Sequence, residues 1–173
     1  EGFVVMLQGL APLVAPHTRL LILGSFPGVR SLQTKTYYAH PQNQFWRLVF
    51  QALSAHSRRT ICVESYENNS AVLLQHGLGL WDVYAACERE GSLDSAIDKA
   101  QLNDLASLRV RCPQLQAIAH NGGESFRHAK HTQALGLPIY KLPSSSPANA
   151  SWSFERKLEV WQEVVQRHCT IPA

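Results

Sequence analysis

Four short apolar runs are set far apart along this chain, and the stretches between them carry helical periodicity. Arg19-Leu20-Leu21-Ile22-Leu23-Gly24 is apolar without alternation and ends on glycine, the pattern of a parallel strand buried on both faces. Gly77–Tyr84, Leu115–His120 and Pro138–Leu142 are the other strand segments. Asn43–His56 places Phe45, Trp46, Val49, Phe50 and Leu53 on one helical face. Leu102–Val110 and Gly122–Leu135 are further helix candidates, and Ser153–His168 is a closing helix with Ser153 as its N-cap. Strands alternating with helices predict an α/β fold around a mostly parallel sheet with crossover helices. Ligands of such sheets bind beyond the carboxyl ends of the strands. The segments to inspect are therefore Ser25-Phe26-Pro27-Gly28, the residues from Asp82 onward, Asn121-Gly122-Gly123 and Pro143-Ser144-Ser145-Ser146-Pro147, all rich in small and polar residues.

A chain of 173 residues suits one domain, 1–173, with a single sizeable core. The formal net charge of +3, with eight histidines besides, is compatible with a polyanionic partner without singling one out. Cys62, Cys87, Cys112 and Cys169 match no zinc or iron–sulfur spacing, so free thiols in a reducing compartment are expected. His40, His120, His128 and His131 have no metal-ligand spacing either, and no metal or organic cofactor is expected. Glu1–Leu10 has an acidic start and no basic leader region, and no apolar run approaches the ~20 residues of a membrane span. A soluble, cytoplasmic monomer is the expectation.

The first post-strand segment runs on into Tyr37-Tyr38-Ala39-His40-Pro41-Gln42-Asn43-Gln44-Phe45-Trp46, which packs aromatic rings, an imidazole and an amide at the mouth of a helix. Adjacent tyrosines in a loop are costly to expose, so at least one should stack on something. Gly-x-x-Pro-Gly followed by Tyr-Ala-His-Pro-x-Asn-x-Phe-Trp resembles the first motif of the mismatch-specific uracil- and thymine-DNA glycosylases. The resemblance continues through Gly77-Leu78-Gly79-Leu80-Trp81-Asp82 and Gly91-Ser92-Leu93-Asp94 to Leu142-Pro143-Ser144-Ser145-Ser146-Pro147-Ala148-Asn149, where those enzymes carry Leu-Pro-Asn-Pro-Ser-Gly. Taken together the motifs look most like the hypoxanthine-DNA glycosylase branch of the uracil-DNA glycosylase superfamily. The resemblance implies a three-layer α/β/α sandwich with a central four-stranded sheet. It also implies a monofunctional enzyme that flips a deaminated base, hypoxanthine above others, out of double-stranded DNA and hydrolyses its N-glycosidic bond.

The departures from the mismatch-specific motif are informative. Those enzymes carry a water-positioning asparagine where this chain has Phe26, and a phenyl ring orients no water. Asn43 is the nearest polar candidate on the same motif, and the resemblance to the hypoxanthine branch points to the same residue; as an asparagine opening a helix, it is also a natural cap. Ser144 stands where related enzymes use His or Asn against a departing pyrimidine, which leaves room for a bicyclic base. By the same resemblance Tyr38 stacks on the flipped base, Phe26 is a second apolar wall, and Asp82 reads the base edge. A carboxylate accepts hydrogen bonds only. It suits the N1–H of hypoxanthine and opposes the N1 lone pair of adenine. Gly28, Gly122, Gly123, Ser145, Ser146, Pro147, Ala148 and Asn149 are the candidate DNA contacts, through exposed amides and hydroxyls facing phosphates. Ala148 is a poor wedge for the vacated stack, so intercalation should come from elsewhere. No lysine in the matched motifs is poised to form a Schiff base. The competing readings are a uracil or thymine mismatch glycosylase, a catalytically inert damaged-DNA-binding relative, and an α/β domain acting on free nucleosides.

Overall fold

The computed structural model describes residues 5–172, so the acidic start of the chain lies outside the described residues. The chain opens with β1 (Met6–Gln8) and enters the core as β2 (Leu20–Gly24), buried along its whole length. The short helix α1 (Val29–Thr34) and the loop 35–44 then lead to α2 (Phe45–Ser57), followed by α3 (Tyr66–Gln75) and β3 (Leu78–Asp82). After β4 (Tyr84–Glu88) and β5 (Asp98–Leu102) come α4 (Leu108–Arg111), β6 (Ala117–Asn121), α5 (Gly123–Phe126), α6 (Ala129–Gln133), β7 (Ile139–Leu142) and α7 (Phe154–His168).

β3, β2, β6 and β7 form, in that order, a four-stranded sheet in which every pairing is parallel. Because side chains alternate across a strand, β2 feeds two cores. Leu20 and Ile22 join α2 and α7 residues such as Phe45, Phe50 and Trp161 on one face. Leu21 and Leu23 join Trp81, Leu108 and Ile118 on the other. Ser153 caps α7 as expected, its hydroxyl accepting from the Arg156 N–H at 3.2 Å. Among the described residues no helix is long and apolar enough to cross a membrane.

Three of the expected elements differ. The strand expected over Gly77–Tyr84 divides at Val83. Its first part pairs with β2, and its second turns away as β4 into a separate antiparallel sheet ordered β1-β4-β5. The Leu102–Val110 helix is reduced to a 3-10 turn and the single-turn α4, because Leu102 still belongs to β5. The Gly122–Leu135 helix breaks into α5 and α6 at Arg127–His128, where the His128 imidazole is drawn to the Tyr84 hydroxyl at 2.8 Å. The structure also contains β1, α1, α3, β4 and β5, which the sequence pattern did not reveal. β5 is exposed throughout, with only Ala100 and Leu102 apolar, and the residues α3 turns inward are Asn69 and Ser70 as well as Leu73, so no apolar rhythm marks either.

Candidate active site

The carboxyl ends of β2, β3, β6 and β7 open on one cleft of about 1140 Å³. Its floor depends on a missing side chain. A β-carbon at Gly24 would stand 2.5 Å from Asp82 Oδ1 and 3.1 Å from Tyr38 Oη, so only glycine lets both groups come together there. Asp82 closes β3 opposite Gly24 in register and is 5% exposed. Its Oδ2 is buried with no hydrogen-bond partner among the described residues. Burial pushes its carboxyl up to about 7 from the ordinary 3.8; nearby Asp94 adds to the rise, and Arg89 opposes it.

The two adjacent tyrosines part company. Tyr37 turns into the core and donates to the Ala11 carbonyl at 2.7 Å. Tyr38 adopts a left-handed backbone, φ 55°, a conformation that costs a non-glycine residue about 1 kcal/mol or more. This swings its ring over the cleft, where it stacks on Phe45 with centroids 4.1 Å apart. Asn121, at the end of β6, donates to Tyr38 Oη at 3.2 Å.

Asn121 is also the hub of the loop after β7. Its Nδ2 donates to Ser145 Oγ at 2.9 Å, and its Oδ1 accepts from the Ser145 N–H at 3.0 Å. Ser145 in turn accepts, at its carbonyl, from the Gln44 N–H at 3.0 Å. The Gln44 side chain accepts from buried Lys157 of α7 at 2.9 Å. A continuous network thus ties β6, the loop after β7, α7 and the start of α2 into one rigid frame around the cleft. Asn43 stands inside that frame on the cleft wall, half-buried. Its Oδ1 accepts from the Phe45 N–H at 3.0 Å, so it does help to start α2. Its Nδ2 has no partner among the hydrogen bonds of the described residues.

The remaining sequence candidates fall as follows. Phe26 borders the cleft, but its ring is buried in the second core beneath the Arg89 guanidinium. Ser144 lines the cleft and accepts from the Ser146 N–H at 3.1 Å. Ser145 is buried and fully engaged, so it holds the loop rather than facing solvent. Ser146, Pro147, Ala148 and Asn149 form the outer turn at the cleft mouth, with Pro147 and Ala148 exposed. Gly122 takes a positive φ of 93°, and a β-carbon there would press on Ser144 at 3.0 Å. Gly123 faces open space at the start of α5. Gly28 leaves space for Ser92, whose hydroxyl accepts from the Val29 N–H at 2.9 Å.

That last contact belongs to a second set of residues with no role assigned from sequence. The turn between β4 and β5 folds back on the loop after β2. Ser25 donates to Asp94 at 2.6 Å, while Arg89 donates to the Gly91 carbonyl at 2.8 Å and the Pro27 carbonyl at 2.6 Å. Asn121 was visible as the last residue before Gly122-Gly123. Arg89, Gln44 and Lys157 carried no local signal, because each acts across the fold. His120 is a structural histidine, held between Ser125 and Thr132 at 2.8 Å each, with burial lowering its imidazole to about 4. Among the described residues no group of His, Cys, Asp and Glu is arranged to hold a metal. All four cysteines are free thiols.

Comparison with known proteins agrees with this geometry. The model of the uracil DNA glycosylase superfamily matches residues 11–165. The chain is 37% identical over 161 residues to a protein of Methanosarcina acetivorans named hypoxanthine DNA glycosylase, covering 93% of this chain and 98% of that protein. A Methanosarcina barkeri protein of the same name is 34% identical over 160 residues, covering 92% and 98%. The solution NMR structure of a candidate uracil DNA glycosylase from Methanosarcina acetivorans superposes with a TM-score of 0.81 at 33% identity, covering 94% of this chain and 98% of that one. The four-stranded parallel sheet flanked by helices is thus shared with a solved structure of that family. The chain belongs to the uracil DNA glycosylase superfamily, whose members act on damaged DNA.

Proposed function

We propose that this protein is a monofunctional DNA glycosylase that takes hypoxanthine out of double-stranded DNA, acting as a monomer. The observation that carries the reading is Asp82: a buried carboxyl with an unpartnered oxygen on the cleft floor, beside the Tyr38 hydroxyl. A flipped base inserted between Tyr38 and the loop after β7 presents its edge to that carboxyl. Hypoxanthine offers N1–H to the ionised form; adenine offers a lone pair. The names of two relatives at 34–37% identity support the same base.

In the reaction, the glycosidic bond breaks through an oxocarbenium-like transition state. Asn43 directs a water onto the sugar; its Oδ1 keeps a lone pair beyond the one given to Phe45, and its amide hydrogens are unspent. The Ser144 hydroxyl, on the cleft lining, meets a phosphate beside the flipped base. Lys141 lines the cleft but lies over the Phe126 ring, 5.4 Å from its centroid, and Lys157 is committed to Gln44. Neither is set to attack the sugar, in keeping with glycosylase action without strand cleavage.

The test is a panel of duplexes carrying inosine, uracil, xanthine or a thymine mismatch. Fastest release from inosine is expected, and a preference for uracil or thymine overturns the assignment of the base. Asn43→Ala should reduce release about a hundredfold or more; turnover near that of the unaltered protein removes Asn43 from catalysis.

A further inference from the structure

Flipping a base out of the helix leaves an empty step in the stack, and proteins that distort duplexes commonly fill such steps with an apolar or aromatic side chain. The outer turn after β7 offers only Pro147 and Ala148 at its exposed tip. Four residues past Ala148 stands Trp152, half-buried and on the lining of the same cleft. We propose that Trp152 is the side chain that enters the duplex and occupies the space of the flipped base; the inference rests on the glycosylase reading above.

Three observations carry it. First, Trp152 is not used by the fold as the other nearby indoles are. Trp46 donates its Nε1–H to the Tyr37 carbonyl and Trp161 donates to Pro143, whereas the Trp152 Nε1–H has no acceptor among the described residues. Second, its backbone is anchored. It directly precedes Ser153, the cap of α7, and the Arg156 guanidinium lies 4.5 Å from its ring centroid. Third, the surrounding surface has the composition of a nucleic-acid face. Arg47 covers the neighbouring Phe154 ring at 4.4 Å, and both Arg47 and Arg156 are exposed, giving cationic groups beside stacked rings. An indole is a bicyclic plane of nearly purine size, so it fills a stacked step as no alanine can. The two arginines stand ready to meet the flanking phosphates. Leu93, 58% exposed on the opposite lip, is the rival, but it rides on the turn clamped to the loop after β2.

The experiment compares Trp152→Ala, Trp152→Phe and Leu93→Ala on inosine in duplex and in single-stranded DNA. A parallel duplex carries a pyrene nucleotide opposite the inosine, which pushes the base out without help from the protein. Trp152→Ala is expected to lower the duplex-to-single-strand ratio of excision rates about tenfold or more. The pyrene duplex should restore most of that loss, and Trp152→Phe should retain most of the ratio. An equal loss on both substrates, or a loss that pyrene does not restore, overturns the proposal. So does the same signature in Leu93→Ala with Trp152→Ala unaffected. Failure of the unaltered protein to release the base from either strand overturns the glycosylase reading and this inference together.

Discussion

Asp82 should make base selection depend on pH in a particular direction. Its carboxyl titrates near 7, because burial and Asp94 outweigh the nearby Arg89. Below that pH the group is protonated and carries one donor and one acceptor. In that form it pairs with the N1–H and O6 of hypoxanthine, and equally with the N1 and exocyclic amine of adenine. Above it the group only accepts, and the pairing with adenine N1 becomes a repulsion. A hydrogen bond to a charged group contributes about 1.5–3 kcal/mol, a factor of roughly 10 to 150. The preference for hypoxanthine over adenine should therefore rise by roughly that factor between pH 6 and pH 8.5. The groups facing Asp82 are Tyr38 from the loop before α2, Asp94 from the turn after β4, and Arg89: burial holds the Tyr38 phenol neutral over this range, Arg89 stays charged, and Asp94, itself raised by burial, gains charge in the same direction as Asp82 as pH rises. Affinities for duplexes with uncleavable 2′-fluoro-deoxyinosine or 2′-fluoro-deoxyadenosine, measured across this range, give the ratio directly. Asp82→Asn should flatten the profile. A flat profile in the unaltered protein, or an equal slope in Asp82→Asn, refutes the reasoning.

The same carboxyl links pH to stability. Its folded pKa lies above its unfolded value, so folding is disfavoured progressively as pH rises from about 4 towards 7, at up to about 1.4 kcal/mol per unit. Asp82→Asn should thus raise Tm at pH 8 and gain little at pH 4; an equal shift at both removes the linkage. Asn121→Ala leaves the buried Ser145 N–H without its acceptor and frees Tyr38, and should cost about 1–3 kcal/mol in urea denaturation together with base affinity. A variant as stable as the parent would show that the hub is not structural. Gly24→Ala sets a methyl 2.5 Å from Asp82 Oδ1, so it should destabilise by about 1–3 kcal/mol and abolish base binding; unchanged affinity would mean that the cleft floor is soft.

The parallel sheet was legible because β2 and β6 are buried on both faces, β2 leaving an uninterrupted apolar run in the chain and β6 the shorter run Ala117–Ala119. The antiparallel ribbon was not, since β5 is exposed on every residue and β4 continues directly from an apolar strand with only Val83 between them. The cleft was legible in the same proportion. Tyr38, Asn43, Asp82 and Ser144 sit in loops whose composition and motif pointed to them, and all four line it. Gln44, Lys157 and Arg89 reach partners 62 to 113 residues away, and separations of that length leave no periodicity to read. Ser145 shows the converse. Its motif marked it as a DNA contact, and only the fold reveals that its polar groups are consumed by Asn121 and Gln44.

The division of the chain at Val83 separates two tasks that might have shared one scaffold. The frame that holds Asn43 runs through β6, α2, α7 and the loop after β7, while the wall bearing Ser92, Leu93 and Asp94 hangs from the antiparallel ribbon. Lengthening or rewriting the turn between β4 and β5 should alter the outline of the cleft on that side and leave the hydrogen-bonded frame around Asn43 in place. The cleft is thus bounded by a changeable jaw set against a fixed one.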